Sequence, residues 1–306
     1  MAGGLLISKT SIWFVFFFWF ILKIEPNNNL FLFFNFVSRA ETFITLGTLF
    51  FGSVVGFIDD VLVTMEGGGN YIGGGLKLSH RLGFVSILSL LIGLWFHFKL
   101  DLHSLSFFGW VIDLESFAWT LNLDNLGVWN ISFGFLIIFI TLFTLLSAWG
   151  TGIIDGFDGL AAGVFIPVYL CFAALAFSRG FYDIATLLMV IAGSTMAYLW
   201  YNIPPAKFYM GDTGTVGLLL TIAVVAILID FLYILPIAGF ILYITEFSAV
   251  IQVLSKKIFK KKIILAAPLH HHLEAIGWKR NQITMRYWLV SIMTSTLGLA
   301  IGLLFG

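Results

Sequence analysis

Nine apolar runs separated by short polar turns are the feature that most limits what this chain can fold into. Each run is close to the length of about 20 residues that an α-helix needs to cross a bilayer. Of the 306 residues, 60% are hydrophobic and 10% are charged, whereas soluble domains carry about a quarter charged residues. The sequence therefore predicts an all-α, polytopic integral membrane protein with a single transmembrane domain over 1–306. The predicted spans are 4–24, 39–58, 81–98, 127–148, 160–178, 184–201, 214–231, 232–254 and 287–305.

The basic residues are divided unequally between alternate loops, which predicts the orientation. With a cytoplasmic N-terminus, 12 of the 16 Lys and Arg residues lie on the cytoplasmic side, including those between Lys256 and Lys262, and 4 lie outside. The positive-inside rule favours this arrangement, with the C-terminus outside. The longest outer loop, 99–126, alternates apolar and polar residues, which predicts a short β-hairpin.

Composition also excludes several classes of function. The 16 basic and 16 acidic residues give a formal net charge of zero, so no basic surface for nucleic acid is predicted. The single Cys171 lies inside an apolar run, which excludes a disulfide framework and cysteine-based zinc sites.

Five aspartates lie at the cytoplasmic ends of three predicted spans. They are Asp59, Asp60, Asp155, Asp158 and Asp212. A charge within the bilayer costs about 2.5 to 3.5 kcal/mol, so five acids at this boundary need a reason. Helix capping explains a single aspartate more easily than all five. Adjacent carboxylates repel each other unless a cation lies nearby, and Mg²⁺ binds a few carboxylates together with substrate phosphates. The acids therefore predict magnesium-dependent phosphoryl chemistry on a lipid head group.

A histidine triplet forms a second group, in the segment APLHHHLEAIGW. Successive residues on a helix point about 100° apart, so His270, His271 and His272 cannot all bind one metal ion. A structural role suits a lone histidine better than contact with a ligand does. For a triplet on the predicted acidic side of the membrane, we favour contact with an anionic substrate.

Four motifs occur in order and on one predicted membrane face: GFIDD, DGFDGLAAG, NIPPAKFYMGDTG and APLHHHLEAIGW. Together with TEFSAVIQV they resemble the polyprenyl-phosphate N-acetylhexosamine-1-phosphate transferases, and the resemblance covers nearly the whole chain. Within that superfamily, the APLHHHLE form is similar to the phospho-N-acetylmuramoyl-pentapeptide transferase family.

The resemblance implies a membrane enzyme of peptidoglycan synthesis, and hence of cell wall biogenesis, cell shape and cell division. Such an enzyme transfers phospho-N-acetylmuramoyl-pentapeptide from its UDP-linked donor to undecaprenyl phosphate, with Mg²⁺ as cofactor, and releases UMP. It also implies a multi-pass protein of the bacterial inner (plasma) membrane, with the active site on the cytoplasmic face. Exposed Phe and Trp side chains would suit membrane lipid as well as a homodimer interface, so the oligomeric state stays open.

The resemblance also implies roles for individual residues. Asp212 would be the metal ligand, and Asp59, with Asp60 beside it, would act on the lipid phosphate. The implied substrate-binding residues are Asp155, Asp158 at the uracil, Tyr209 stacked on the uracil, Asn202, His270, His271 and His272.

Besides Tyr209, which stands where the family usually has Phe, three positions depart from the family pattern. Trp149 and Gly152 stand where the family has Asn, and Val63 stands where a Lys is common; the next basic residues are Lys77 and Arg81. The opening GGLLI resembles the start of the family's second helix, which predicts nine spans in place of ten.

Two other readings remain open at this stage. A sister transferase that uses UDP-N-acetylglucosamine would share the metal chemistry. A catalytically dead paralogue or a transporter would fit the three departures, and a transporter would place carboxylates within the membrane. Glu246 is the only carboxylate clearly inside a predicted span.

Overall fold

The computed structural model describes residues 3–24, 40–65, 75–108, 110–116, 118–123 and 127–305. Long helices dominate these ranges, and two β-hairpins interrupt them between the third and fourth helices. The helices are α1 (Gly3–Ile24), α2 (Ala40–Met65), α3 (Leu78–Lys99), α4 (Leu136–Gly150), α5 (Leu160–Ser178), α6 (Tyr182–Asn202), α7 (Gly211–Leu228), α8 (Leu235–Ala238), α9 (Phe240–Ile258), α10 (Leu269–Ala275) and α11 (Arg280–Phe305).

Helix α7 forms the centre of the bundle. Every residue from Thr213 to Leu228 is buried, because α7 packs against α1, α2, α4 and α5. Most of α5 is buried as well, between α6 and α11. The surrounding helices are apolar on their outer faces too, with exposed side chains such as Phe50, Phe98 and Phe143. Helices that are apolar on all sides and expose large hydrophobic side chains are typical of proteins surrounded by lipid.

The prediction of a polytopic all-α membrane protein is confirmed. Within the described ranges, eight helices are long and apolar enough to cross a membrane, and a bent pair raises the number to nine if it counts as one span. The predicted limits of several spans were wrong. Helix α2 continues past Asp59 and Asp60 to Met65, α7 begins three residues before the predicted start, and α11 begins at Arg280. Hydropathy misses such ends because polar first and last turns are helical but not apolar.

The predicted span 232–254 is the bent pair. Helices α8 and α9 meet at Gly239 with an angle of 78° between them. Pro236 lies in the first turn of α8, as the sequence predicts, where its missing N–H is not needed for a helical hydrogen bond. The continuous apolar run of the sequence therefore contains a sharp bend that hydropathy does not predict.

The outer loop contains the predicted hairpin and a second one. Strands β1 (Ser104–Phe107) and β2 (Trp110–Asp113) pair antiparallel, with Ser104 opposite Asp113. Strands β3 (Ala118–Leu123) and β4 (Gly127–Ser132) form another antiparallel pair, with Leu123 opposite Gly127. The predicted start of the fourth span at 127 was therefore wrong. Residues 127–132 are a strand, and α4 follows a 3₁₀ turn, Phe133–Phe135.

The first hairpin is held against the end of α7. The backbone N–H of Ser106 donates to Asp230 Oδ1 at 2.6 Å, and the Ser106 hydroxyl donates to Asp230 Oδ2. Phe107 and Phe108 contact the ring of Tyr233, which follows Asp230 closely in the chain. The aspartates around Asp212 lie at the opposite, N-terminal end of α7. The bundle thus has a hairpin end and an acidic end.

A close contact between α5 and α11 gives the first prediction. The Trp288 indole of α11 lies against the backbone of Gly163, so closely that a Cβ there would collide with Nε1. That N–H donates to the carbonyl of Gly159 at 2.9 Å. We expect Gly163→Ala to destabilise the protein by about 1–3 kcal/mol because Trp288 must move. Thermal unfolding of the purified protein in detergent measures the effect.

Gly193→Ala in α6 is the matched control. Apart from its chain neighbours and the backbone of its own helix, no atom lies within 4 Å of a Cβ at Gly193. Alanine is favoured over glycine in a helix by up to about 1 kcal/mol. We expect this variant to unfold at the wild-type temperature or above. Equal melting temperatures for the two variants would contradict the tight contact at Gly163.

Candidate active site

Two aspartates from other segments bind the N-terminus of α7. Asp60 Oδ1 accepts a hydrogen bond from the Asp212 N–H at 3.0 Å, and Asp60 Oδ2 accepts from the Thr213 N–H at 3.1 Å and from the Thr213 hydroxyl at 2.6 Å. Asp155 Oδ2 accepts from the Gly211 N–H at 3.1 Å. The first N–H groups of a helix lack partners within the helix and carry partial positive charge. Carboxylates from α2 and from the turn before α5 therefore fix the start of α7.

The turn into α7 requires glycine. Gly211 has a φ of +70°, a left-handed conformation that side chains rarely adopt. A Cβ at Gly211 would also collide with the carboxylate of Asp60. This turn presents the Asp212 side chain, and Asp60 holds its backbone. Both oxygens of Asp60 are engaged in these bonds, so Asp60 positions Asp212, and its direct part in a reaction stays a prediction.

Arg81 bridges the carboxylates of Asp59 and Asp212, which together with Asp60 form the acidic cluster. Its Nη2 lies 2.7 Å from Asp59 Oδ2, and its Nη1 lies 3.0 Å from Asp212 Oδ2. Arg81 Nε donates to the carbonyl of Leu76 at 3.1 Å, and the Leu76 N–H donates to Asp59 Oδ1 at 2.7 Å. The Asp59 side chain is only 4% exposed. A bridging guanidinium supplies the positive charge that these two acids require.

The neighbouring loop places Asp158 beside a small cleft. Asp158 Oδ2 accepts from the Ala206 N–H at 3.0 Å, and the Thr284 hydroxyl donates to the Asp158 carbonyl at 3.3 Å. The cleft has a volume of about 140 Å³. Tyr209, whose ring is largely exposed, lies in its wall, so two predicted nucleotide-binding residues share one cleft. Its lining residues are Gly156, Phe157, Asp158, Pro204, Tyr209, Arg280, Asn281 and Thr284.

Asn202 joins two backbone segments of the site. Its Oδ1 accepts from the Gly159 N–H at 2.9 Å, and its Nδ2 donates to the Phe208 carbonyl at 2.9 Å. Asn202 is buried. It therefore ties the turn before α5 to the turn before α7, and its predicted contact with substrate stays a prediction.

The three histidines lie on the short helix α10 and face different surroundings. His270 is fully buried against Gly156 and the Phe157 ring, and burial lowers its pKa to about 4, so it is neutral near pH 7. His271 Nδ1 lies 3.3 Å from Glu274 Oε2. His272 Nδ1 accepts from the Leu265 N–H at 3.3 Å. Among the described residues, no group of three or more His, Cys, Asp or Glu side chains is arranged to hold a metal ion. Contact of the three histidines with substrate stays a prediction.

The three departures from the family pattern lie around these groups. Val63 and the Arg81 guanidinium both lie beside the backbone of Gly75, so a cation is present near the position where the family commonly has Lys. Gly152 lies in the 3₁₀ turn Thr151–Ile154, just before Asp155. Trp149 is partly buried against the core. The Glu246 carboxylate packs against Gly150.

Several residues of the site were not singled out in the sequence. Arg280, Asn281 and Thr284 line the cleft, although they follow the histidine motif by several residues. Phe157 also lines it, between the two aspartates of DGFDG. Their signal in the sequence is only their proximity to motifs. Arg81 was one of the two basic candidates that follow Val63 in the sequence. In the structure its guanidinium bridges Asp59 and Asp212.

Comparison with known proteins identifies the family. The model of glycosyl transferase family 4 matches residues 42–230, a range that includes Asp59, Asp60, Asp155, Asp158 and Asp212. This chain belongs to glycosyl transferase family 4.

Several curated relatives of this family-4 chain carry the name phospho-N-acetylmuramoyl-pentapeptide-transferase. The protein from Geobacillus sp. (strain WCH70) is 30% identical over 267 residues, which cover 86% of this chain and 75% of the relative. The protein from Geobacillus kaustophilus (strain HTA426) is 31% identical over 266 residues, covering 87% and 75%. The resemblance predicted from the motifs is confirmed. This family-4 chain is a multi-pass membrane protein and a phosphoglycosyl transferase.

The Arg81 bridge gives a second prediction. Replacing Arg81 with Gln leaves Asp59 and Asp212 facing each other without the guanidinium. A fully buried ion pair loses about 3–5 kcal/mol when one partner is removed, and we expect about 2 kcal/mol for this partly buried one. The measurement is the melting temperature in detergent with EDTA.

Arg286→Gln serves as the control for Arg81→Gln. The Arg286 guanidinium lies 4.0 Å from the centre of the Trp278 ring, a contact worth about 0.5–1 kcal/mol at an exposed site. Addition of MgCl₂ should restore stability to Arg81→Gln more than to the control. If both variants unfold at the same temperature in EDTA, Arg81 does not stabilise the acidic cluster.

The Asp155 carboxyl gives a pH prediction. Burial raises its pKa to about 6, and the negative charge of Asp60 adds to the effect, while the Gly211 N–H opposes it. The unfolded pKa is about 3.9. For a raised pKa, the stability contribution is fully present below the unfolded pKa and is lost as the pH rises through the folded pKa.

Asn cannot ionise. We therefore expect the melting temperature of Asp155→Asn to rise relative to that of the wild type as the pH rises. The melting temperature of the wild type minus that of Asp155→Asn should fall between about pH 4 and pH 6 in EDTA. A difference that stays constant over this range would show that Asp155 does not titrate there.

Proposed function

We propose that this protein transfers phospho-N-acetylmuramoyl-pentapeptide from its UDP-linked donor to undecaprenyl phosphate and releases UMP. The single observation that carries the proposal is the acidic cluster at the N-terminus of α7, where Arg81 joins Asp59 to Asp212 and Asp60 fixes the Asp212 backbone. The relatives' shared name favours the muramoyl-pentapeptide donor over UDP-N-acetylglucosamine.

The cofactor in this proposal is Mg²⁺, held by Asp212 with Asp59. The two carboxylates approach the same guanidinium within 3.0 Å, so they face a common point. Mg²⁺ is commonly bound by one or two carboxylates together with substrate phosphates and water, so this pair fits. When bound, the ion offsets the charge of two phosphate-bearing substrates.

The protein's own side chains would share the remaining work. Arg81 would attract a phosphate oxygen, because guanidinium groups bind phosphate through paired N–H donors. Asp59 would orient the acceptor and need not remove a proton, since a phosphate monoester has its second pKa near about 6 and is mostly a dianion at pH 7. Asp158 and Tyr209 would hold the uracil in the cleft that they share.

The proposal places the protein in the bacterial plasma membrane, with the acidic end toward the cytoplasm. Both substrates would meet there, because the UDP-linked donor is soluble and the prenyl chain is in the bilayer. The excess of Lys and Arg in the predicted cytoplasmic loops supports this orientation.

The test is release of UMP by the purified protein in detergent. We expect Mg²⁺-dependent release with UDP-N-acetylmuramoyl-pentapeptide and undecaprenyl phosphate. Asp212→Asn should lower the rate by about a hundredfold or more, since metal binding supplies several kcal/mol to the transition state. Asp113→Asn, in the hairpin at the other end of the bundle, is the matched control and should keep the wild-type rate.

Other results would point to the other functions. Release only with UDP-N-acetylglucosamine would identify the sister transferase. If the wild-type protein is folded and releases UMP with neither donor, a dead paralogue or a transporter is favoured.

A further inference from the structure

Arg280 is a cation in the cleft with no role assigned by the sequence motifs. It is the first residue of α11 and lines the cleft together with Asp158 and Tyr209. A positive charge in the first turn of a helix is opposed by the helix dipole, and that turn of α11 contains no acidic residue. The stability of α11 therefore does not explain an arginine at this position.

Two neighbouring side chains contact Arg280, whose own side chain is 67% exposed. Its Nε donates to Glu274 Oε1 at 2.6 Å, and the other carboxylate oxygen of Glu274 lies 3.3 Å from His271 Nδ1. The guanidinium carbon lies 5.3 Å from the centre of the Phe157 ring, which also lines the cleft. An ion pair at Nε and an aromatic ring on one side restrict a planar guanidinium.

The two terminal nitrogens of Arg280 remain available to a ligand. Each carries N–H donors, and within the part of the chain that the structure describes neither has a hydrogen-bond partner. A glutamate is ionised near pH 7, and the hydrogen bond from Arg280 lowers the pKa of Glu274 further below its usual value. The result is a solvent-accessible donor group, anchored through Nε, at the wall of the cleft.

The size of the cleft limits what it can hold. Its volume of about 140 Å³ is below the roughly 300–1,000 Å³ of pockets that enclose a whole drug-sized ligand. It therefore takes one part of a nucleotide-linked donor. An aromatic ring at Tyr209, an acceptor at Asp158 and a donor at Arg280 suit a flat base with both donor and acceptor groups on its edge.

This pairing of acceptor and donor distinguishes the two pyrimidines. Uracil offers an N–H donor between two carbonyl acceptors. Cytosine offers an acceptor nitrogen at that position and an amino donor in place of one carbonyl. A carboxylate facing N3 and a guanidinium facing the 4-position therefore complement uracil, whereas with cytosine they would place acceptor against acceptor and donor against donor.

We propose that Arg280 is a specificity-determining residue that donates to the 4-carbonyl of uracil in the donor nucleotide and so selects uracil over cytosine. The inference rests on the proposed function, because it requires a UDP-linked donor in this cleft. It adds a base-reading residue outside the aspartate and histidine motifs.

The test is calorimetric titration of the full-length protein in detergent with UMP and with CMP. We expect the wild type to bind UMP at least about tenfold more tightly than CMP, as one good hydrogen-bonded pair against a wrong base permits. Arg280→Met keeps an apolar stem and removes every donor. It should weaken UMP binding about tenfold and leave CMP binding unchanged or tighter, so that the ratio approaches one. Arg280→Lys should give an intermediate ratio.

Two variants separate base reading from other roles. Lys279→Met removes the same charge from the adjacent exposed residue, which does not line the cleft, and should keep the wild-type ratio. Glu274→Gln breaks the ion pair but keeps the guanidinium, and should change the ratio less than Arg280→Met does. If Glu274→Gln and Arg280→Met change the ratio of UMP to CMP affinity equally, Arg280 only anchors the turn.

The remaining outcomes also decide the matter. Equal weakening of UMP and CMP by Arg280→Met would assign the contact to phosphate and overturn base reading. Unchanged UMP binding in Arg280→Met, with a wild type that binds UMP, would overturn this inference alone. A wild type that binds neither nucleotide would contradict the proposed function itself.

Discussion

The rest of the acidic site depends on how the start of α7 is held inside the protein. A buried helix end with bare N–H groups would be costly, and here Asp60 and Asp155 reach it from two other parts of the chain. Their negative charges also match the positive end of the helix dipole. The same contacts that satisfy the backbone place the Asp212 side chain toward Asp59 and Arg81. Structure and site chemistry thus share one set of bonds.

The motifs in the sequence predicted which carboxylates gather at one end of the bundle, and hydropathy predicted the membrane class and the first hairpin. Both predictions rest on short-range patterns, which one sequence displays directly. The division of labour among the acids did not follow from the sequence. Asp60 and Asp59 are adjacent in the chain, yet one bonds the backbone of α7 and the other pairs with Arg81, because successive residues on a helix point about 100° apart.

Other features were missed because tertiary packing decides them. The bend at Gly239 lies within an unbroken apolar run, so hydropathy cannot detect it. Residues 127–132 form a strand because β3 pairs with them, although the run that follows is helical. The cleft residue Arg280 stands apart from the motifs, and only the packing of α11 brings it to Asp158. Long-range contacts of this kind leave no periodic signal in the sequence.

Because α7 is enclosed by other helices, a change in the surrounding lipid can reach it only indirectly. Because every residue from Thr213 to Leu228 is covered by other helices, lipid tails touch the helix that carries Asp212 only through those neighbours. A change of bilayer thickness or of detergent acts first on the outer helices, which tilt or shift to match it. Helix α7 therefore has no direct contact with the surrounding lipid or detergent, and it packs as densely as the core of a water-soluble protein.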